Sequence, residues 1–269
     1  MPTSELTPEM LYIRDTPTGN DIQLKANFWQ SQYEQKEKQR NIVWQIRQTG
    51  MTTWSLAKAF LHAINKQGFC VSITKLFPGQ KEALWRTAEG FSESLSFPPD
   101  HKNSRSFYFK YGKGEYSIAD DFSLIIGREI DFLHLADFDW WTEKDQQQAF
   151  RHLFPKLTPN AQVIIQSTPR VGSNGMYRKI WRTPEKYGFV RHYFPWYEYP
   201  GYTSKPIDRD DLTEKEEELV EIFGLSRSQI GWRREIISRT GRKFFKQNYA
   251  EDIIEMFRRQ EEANALGSY

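Results

Sequence analysis

The chain has 269 residues with 37 Lys and Arg against 35 Asp and Glu, a formal charge of +2. Overall charge therefore announces no nucleic-acid partner, and any such contact must come from a local basic patch such as Arg227, Arg233, Arg234, Arg239, Arg242 and Lys243, a cluster that also reads as a solvated helical face. The single Cys70 excludes a disulfide framework or a cysteine-rich zinc site and fits a reducing cytosol, while no stretch approaches the ~20 apolar residues of a membrane span and no signal peptide is visible.

Residues 1 to about 24 are rich in Pro, Thr and Asp without periodicity and read as an arm. A core spans residues 25–210, and residues 211–269 form a helical segment. A helix is expected over Ala26–Lys38, where Gln30 or Gln32 is either a reader of an adenine edge or a surface glutamine. Strands follow at Ile42–Ile46 and Phe69–Thr74, with helices from Thr52 to Ile64 and from Gly79 to Leu95. Phe107, Phe109 and Tyr111 alternate as in a hairpin, Leu124–Ile126 reads as a further strand, and Asp131–Ala136 as a buried one. After them come a helix over Glu143–Leu153, a strand over Gln162–Ser167, a short helix over Asn174–Arg182 and an aromatic strand over Val190–Trp196. Helices starting at Leu212, Ser226 and Phe244 complete the chain. This alternation predicts an α/β fold with a mostly parallel central sheet flanked by helices and joined by right-handed crossovers.

Two places carry chemistry. Between the first buried strand and its helix lies Arg47-Gln48-Thr49-Gly50-Met51-Thr52-Thr53. Strand, tight glycine turn and threonine at a helix start make a phosphate-binding loop, in which backbone N–H groups face an anion and the Thr52 hydroxyl is free for magnesium. The usual G-x-x-x-x-G-K-[ST] pattern is broken, since Gln45 stands for the first glycine and Met51 for the lysine. Arg47 is the nearest replacement cation and Arg128 a second candidate. Lys58 lies more than a turn into the helix and is expected to face solvent, and an arginine from a neighbouring subunit is a further option.

The other place is the acidic strand end Phe132-Leu133-His134-Leu135-Ala136-Asp137. Ligands of open α/β sheets sit at the carboxyl ends of strands, so Asp137 is expected beside the loop as a magnesium and water-orienting carboxylate. Asp139 either shares that face, if the strand continues, or caps the helix near Thr142-Glu143. His134 reads as a core histidine.

These segments resemble, in order, the ATPase domain of the large terminase subunit of tailed bacteriophages. The loop at 47–53 is similar to R-Q-x-G-x-[ST]-T. Leu133-His134-Leu135-Ala136-Asp137 resembles L-H-[LA]-S-E, and Gln166-Ser167-Thr168-Pro169 with Asn174-Gly175 resembles the coupling motif E-S-T-x-N-G. Phe194-Pro195-Trp196, Gln229 to Glu235, and Phe245-Lys246-Gln247-Asn248-Tyr249 resemble later segments. The resemblance covers roughly residues 25–257. It departs at Gln45 and Met51, which leave both customary lysine positions empty, and at Asp137, Gln166 and Asn248, each in place of Glu.

The resemblance implies a P-loop NTPase fold of the ASCE type with ATP and Mg²⁺ as cofactors. It implies that Gln45, Arg47, Gln48, Thr49, Gly50, Met51, Thr52 and Thr53 bind nucleotide, that Thr52 and Asp137 hold the metal, and that Ser167 and Thr168 couple nucleotide state to motion. On this reading Asp137 and Arg47 are the catalytic groups. The implied function is powering the entry of double-stranded DNA into a procapsid, with the portal protein, the small terminase subunit and a homo-oligomeric ring as partners. The implied location is the host cytoplasm, transiently on the portal. The other reading is a degenerate module that binds DNA, portal or nucleotide without efficient hydrolysis. No nuclease activity is expected of these residues.

Overall fold

A strand buried on both faces needs an almost unbroken apolar run, and such runs supply the centre of the sheet. The computed structural model describes residues 5–14, 18–95, 99–109, 114–170 and 173–249. In chain order the elements are β1 (Tyr12–Arg14), β2 (Asp21–Gln23), α1 (Phe28–Lys36), β3 (Arg40–Gln45), α2 (Met51–Asn65), β4 (Gly68–Thr74) and α3 (Gln80–Ser94). Then come β5 (His101–Lys102), β6 (Ser106–Phe109), β7 (Gly114–Ala119), β8 (Ile130–Ala136), α4 (Glu143–His152), β9 (Leu157–Ser167), α5 (Met176–Arg182) and β10 (Val190–Phe194). The described chain ends with α6 (Glu214–Phe223), α7 (Arg227–Thr240) and α8 (Arg242–Asn248).

Eight strands form one sheet in the order β10-β3-β9-β8-β4-β7-β6-β5. From β3 to β7 all neighbours run parallel, and β6 and β5 are antiparallel. The carboxyl ends of β3, β9, β8 and β4 therefore share one edge, with β9 between the strand that feeds the loop and the strand that delivers Asp137. The expected α/β architecture is the observed one.

The chain divides into two compact units, residues 1–44, 48–167 and 173–192 in one and 45–47, 168–172 and 193–269 in the other. In the first, α2 covers the sheet with Trp54, Leu56, Ala57, Phe60 and Ala63 buried. Phe60 sits among Phe91, Phe107, Phe109 and Tyr116, with ring centroids 5.3–5.9 Å away. Only glycine fits at the start of β7, because a Cβ on Gly114 would overlap the Ala63 carbonyl of α2. The lead-in read as an arm carries the β1–β2 hairpin and is tied down: Leu11 is fully buried and the Tyr12 N–H donates to Ser94 Oγ at 3.1 Å.

The expected strand at Leu124–Ile126 is instead a 3-10 turn, Ser123–Ile125. The Ser123 N–H and hydroxyl both donate to Asp121 Oδ1 (2.7 and 2.5 Å), a local bond that competes with strand pairing. His134 lies in the core as expected, its Nδ1 3.1 Å from Ser72 Oγ, and burial pushes its pKa down to about 3, which keeps the ring neutral.

The second unit is built on aromatic contacts. Trp232 stacks on Trp196 and Tyr202 (5.1 and 4.5 Å) and meets Tyr249 edge-on at 5.3 Å. The basic cluster noted in the sequence does not form one free face. Arg233 is buried, Arg234 pairs with Glu216 at 2.6 Å and Arg239 with Glu235 on its own helix. Arg227, Arg242 and Lys243 are exposed. No helix among the described residues is long and apolar enough to cross a membrane.

Candidate functional site

The loop after β3 is shaped from behind by α1. Asn27 and Gln30 form a reciprocal capping box, in which each backbone N–H donates to the other's side-chain oxygen (2.9 and 3.1 Å). Their amide groups then reach the loop: Asn27 Nδ2 donates to the Thr49 carbonyl at 2.9 Å and Gln30 Nε2 to the Gly50 carbonyl at 3.0 Å. In a trans peptide the N–H points opposite to the C=O, so carbonyls turned towards α1 leave the N–H groups of Gly50 and Met51 facing away from it. Gln30 is thus neither a surface glutamine nor open to a base, because it is buried and both ends of its amide are engaged.

Two residues of the loop have positive φ, Gln48 at 64° and Gly50 at 72°. Gly50 needs no Cβ there, and one would stand 2.7 Å from Gln30 Nε2. A non-glycine residue in this region stores strain, and Gln48 shares that property with Asp137 (φ 50°) at the end of β8. The Met51 side chain is fully buried, so it fills the core instead of standing in for a lysine.

Thr52 opens α2, and its Oγ1 accepts from Gln166 Nε2 of β9 at 2.7 Å. Gln166 is itself buried, and its Oε1 has no partner among the described residues. Asp137 follows β8, and its Oδ2 accepts from Gln80 Nε2 at 2.6 Å. Gln80 Oε1 in turn accepts from the Thr74 hydroxyl at the end of β4.

The strand does not continue to Asp139. A 3-10 turn over Phe138–Trp140 carries its carboxylate inward to Arg178, with Nε and a terminal nitrogen each 3.0 Å from Oδ2, while Ser173 Oγ donates to Oδ1 at 2.6 Å. Asp139 therefore neither shares a face with Asp137 nor caps α4, whose cap is Thr142 accepting from the Asp145 N–H at 3.1 Å. The Asp139 N–H donates to Ser167 Oγ at 3.1 Å, which links the end of β9 to the turn after β8.

The structure thus gathers Thr52, Gln166, Ser167, Asp137 and Gln80 at the carboxyl ends of neighbouring parallel strands. Thr49 is buried, Gln48 exposed and Thr53 half-buried. Gln45 is the buried last residue of β3, and Thr168 follows β9 half-buried. Arg47 is exposed. Its N–H donates to the Asn248 carbonyl at 3.3 Å and its guanidinium lies 5.9 Å from the centre of the Phe244 ring. Arg128 precedes β8, at the end of the strand away from Asp137, and is held by both oxygens of Glu115 over the Phe69 ring. Lys58 pairs with Glu37 at 2.6 Å instead of facing solvent.

Magnesium is held by few protein oxygens and keeps phosphate and water ligands, so a hydroxyl and one carboxylate suffice. Thr52 and Asp137 offer that donor set. No cluster of three or more His, Cys, Asp or Glu able to hold a metal by itself occurs among the described residues.

A cleft of about 1000 Å³ opens beside the loop, lined by Gln48, Gly50 and Thr53 together with Arg14 of β1 and Arg86 of α3. Sequence reasoning missed it, because Arg86 lies far along the chain and no motif marks it. The Asn27–Gln30 clamp had a legible signal, an Asn-x-x-Gln capping box at a helix start, and Gln80 had none.

A mostly parallel sheet flanked by helices, with a glycine turn after β3 and an acidic residue after β8, one strand removed, is a P-loop NTPase-like α/β fold. No family model and no curated protein matches the sequence. Solved structures do. The HK97 bacteriophage large terminase superposes with a TM-score of 0.59 at 14% identity, over 91% of this chain and 53% of that one. The ATPase domain of the Thermus phage P74-26 large terminase gives 0.56 at 13%, over 85% and 94%. The large terminase of a further, thermophilic bacteriophage gives 0.52 at 12%, over 80% and 48%. The chain has the fold of a phage large terminase ATPase domain, and it spans about half the length of the HK97 protein, 53%.

Proposed function

We propose that this chain is the ATP-hydrolysing module of a viral large terminase, powering movement of double-stranded DNA into procapsids. The observation that carries the reading is the alignment of the loop at 47–53, Gln166-Ser167 and Asp137 along one sheet edge, in the fold of terminase ATPase domains. In this reading the backbone N–H groups of residues 48–52 bind the phosphates, and Thr52 and Asp137 hold magnesium. Magnesium, when bound, offsets the charge that grows on the phosphate oxygens during transfer. Asp137 orients the attacking water and accepts its proton, with Gln80 fixing the carboxylate. Arg47 carries no carboxylate partner among the described residues and is the loop's own cation. Ser167 and Thr168 report nucleotide state, Ser167 through its bond to the Asp139 N–H.

The proposed partners are double-stranded DNA, the portal protein, the small terminase subunit and further copies of the chain in a ring on the portal, within the host cytoplasm. A second reading, a nucleotide- or DNA-binding module without efficient hydrolysis, draws support from the burial of Met51 where the lysine is customary. Phosphate release measured with magnesium–ATP, DNA and portal separates the two. Turnover that is lost in Thr52→Ala and Asp137→Asn supports the motor, whereas binding without turnover supports the second reading. Arg47→Ala is expected to cost more activity than Lys58→Ala.

A further inference from the structure

A loop that binds a triphosphate without lysine still has to balance three to four negative charges, and backbone dipoles supply only partial ones. Several cations of the first unit are committed to carboxylates. Lys58 pairs with Glu37 (2.6 Å), Lys75 with Asp145 (2.9 Å), Lys81 with Asp120 (3.0 Å), Arg128 with Glu115 and Arg178 with Asp139 (3.0 Å). Two arginines that line the cleft beside the loop are different. Arg14 and Arg86 are exposed and form no hydrogen bond or ion pair with the described residues. They share that cleft, about 1000 Å³ in volume, with Gln48, Gly50 and Thr53 of the loop.

We propose that Arg86, with Arg14 in the same cleft, binds the polyphosphate of the nucleoside triphosphate and adds to Arg47 positive charge that Met51 does not supply. The proposal rests on the nucleotide-binding reading above. Arg86 is the stronger of the two. It projects from α3, whose opposite face buries Leu84, Ala88 and Phe91 and so fixes the helix. Arg14 lies on a two-stranded ribbon directly opposite Asp21, its register partner, which offsets part of its charge. Of the other carboxylates in the cleft, Glu89 is neutralised by Lys102 at 2.9 Å, and Glu93 lies two turns along α3 from Arg86. With Asp21 and Glu93 opposing Arg14 and Arg86, the cleft is close to neutral overall, so its arginines contribute by directed hydrogen bonds and not by a broad field.

The test is calorimetric titration of the full chain with magnesium–ATP and magnesium–ADP, in wild type, Arg86→Ala, Arg86→Lys, Arg14→Ala and Thr52→Ala. Removing a charged hydrogen-bond donor to phosphate is expected to weaken magnesium–ATP about tenfold or more in Arg86→Ala, with a smaller loss in Arg14→Ala. The loss should be greater for ATP than for ADP, and Arg86→Lys should recover part of it by keeping the charge. Because both arginines are exposed, unfolding temperatures should stay at the wild-type value, so a change in affinity is not a change in fold. ATP affinity equal to wild type in Arg86→Ala and Arg14→Ala, alongside loss in Thr52→Ala, overturns this proposal and leaves the nucleotide site standing. Absence of binding by the wild-type chain overturns both.

Discussion

Gln166 donates its amide to the hydroxyl of Thr52 across 2.7 Å, joining the strand β9 to the first turn of α2. This bond occupies the oxygen that a phosphate loop offers to magnesium, and the other amide atom of Gln166, Oε1, is buried without a partner among the described residues. An amide here competes for the hydroxyl's lone pairs, whereas a carboxylate would accept the hydroxyl proton and leave them to a metal.

Gln166→Glu is therefore expected to lower the magnesium concentration needed for half-maximal nucleotide binding by about threefold to tenfold, a range set by one charged hydrogen bond. Magnesium titration at fixed ATP checks this. An unchanged or raised magnesium requirement would show that the amide does not hold the hydroxyl back.

The clamp from α1 should matter to the loop and to the fold together. Gly50→Ala places a Cβ 2.7 Å from Gln30 Nε2 at a φ of 72° and is expected to cost about 1–2 kcal/mol in denaturant unfolding. Gln30→Ala removes a cap partner and a loop bond, and should cost a similar ~1 kcal/mol. Wild-type stability in both variants would contradict a clamped loop.

Asp139 and Arg178 form an ion pair with both side chains almost wholly excluded from solvent, 0% and 1% exposed. Removing one partner strands the other's charge, so Arg178→Ala is expected to destabilise by about 3–5 kcal/mol. Chemical denaturation measures it. A loss below ~1 kcal/mol would mean that water reaches the site.

Much of this was legible before the fold was known, and the reasons are local. Residues 41–54 carry an apolar run, a glycine turn and an amphipathic helix, three signals set by neighbours in the chain, and β3, the loop and α2 fall where they point. The same logic failed at Leu124–Ile126, where three apolar residues lost to a hydrogen bond from Ser123 to Asp121. It also failed at Asp139, because an alternating strand pattern carries no sign that the chain will coil into a 3-10 turn and meet Arg178, 39 positions on. β9 starts at Leu157, earlier than expected, since Thr158, Pro159 and Asn160 give no apolar run and the pairing of Leu157 with Ile130 of β8 is not written in the local sequence. Arg14 and Arg86 meet the loop only through the packing of three separate segments, which no spacing in the sequence encodes.

Glu216 gives a pH test in the second unit. Hydrogen bonds from the Arg234 guanidinium pull its pKa down to about 2 in the folded protein, below the ordinary glutamate value near ~4.3. A depressed acid stabilises the fold above its unfolded pKa and loses that contribution as pH falls towards the folded value. The stability difference between wild type and Glu216→Gln should thus be constant near neutrality and shrink between about pH 4.5 and pH 2. A difference that grew on acidification would reverse the sign of the effect.

Everything proposed for this chain turns on whether the strand ends carrying Thr52 and Asp137 form a magnesium-dependent nucleotide site. Calorimetric titration of wild type, Thr52→Ala and Asp137→Asn with ATP, with and without magnesium, tests it most directly. The expected result is saturable, magnesium-dependent binding by wild type that is lost in Thr52→Ala and strongly reduced in Asp137→Asn. Binding of equal strength in all three proteins, or none by wild type, would contradict it.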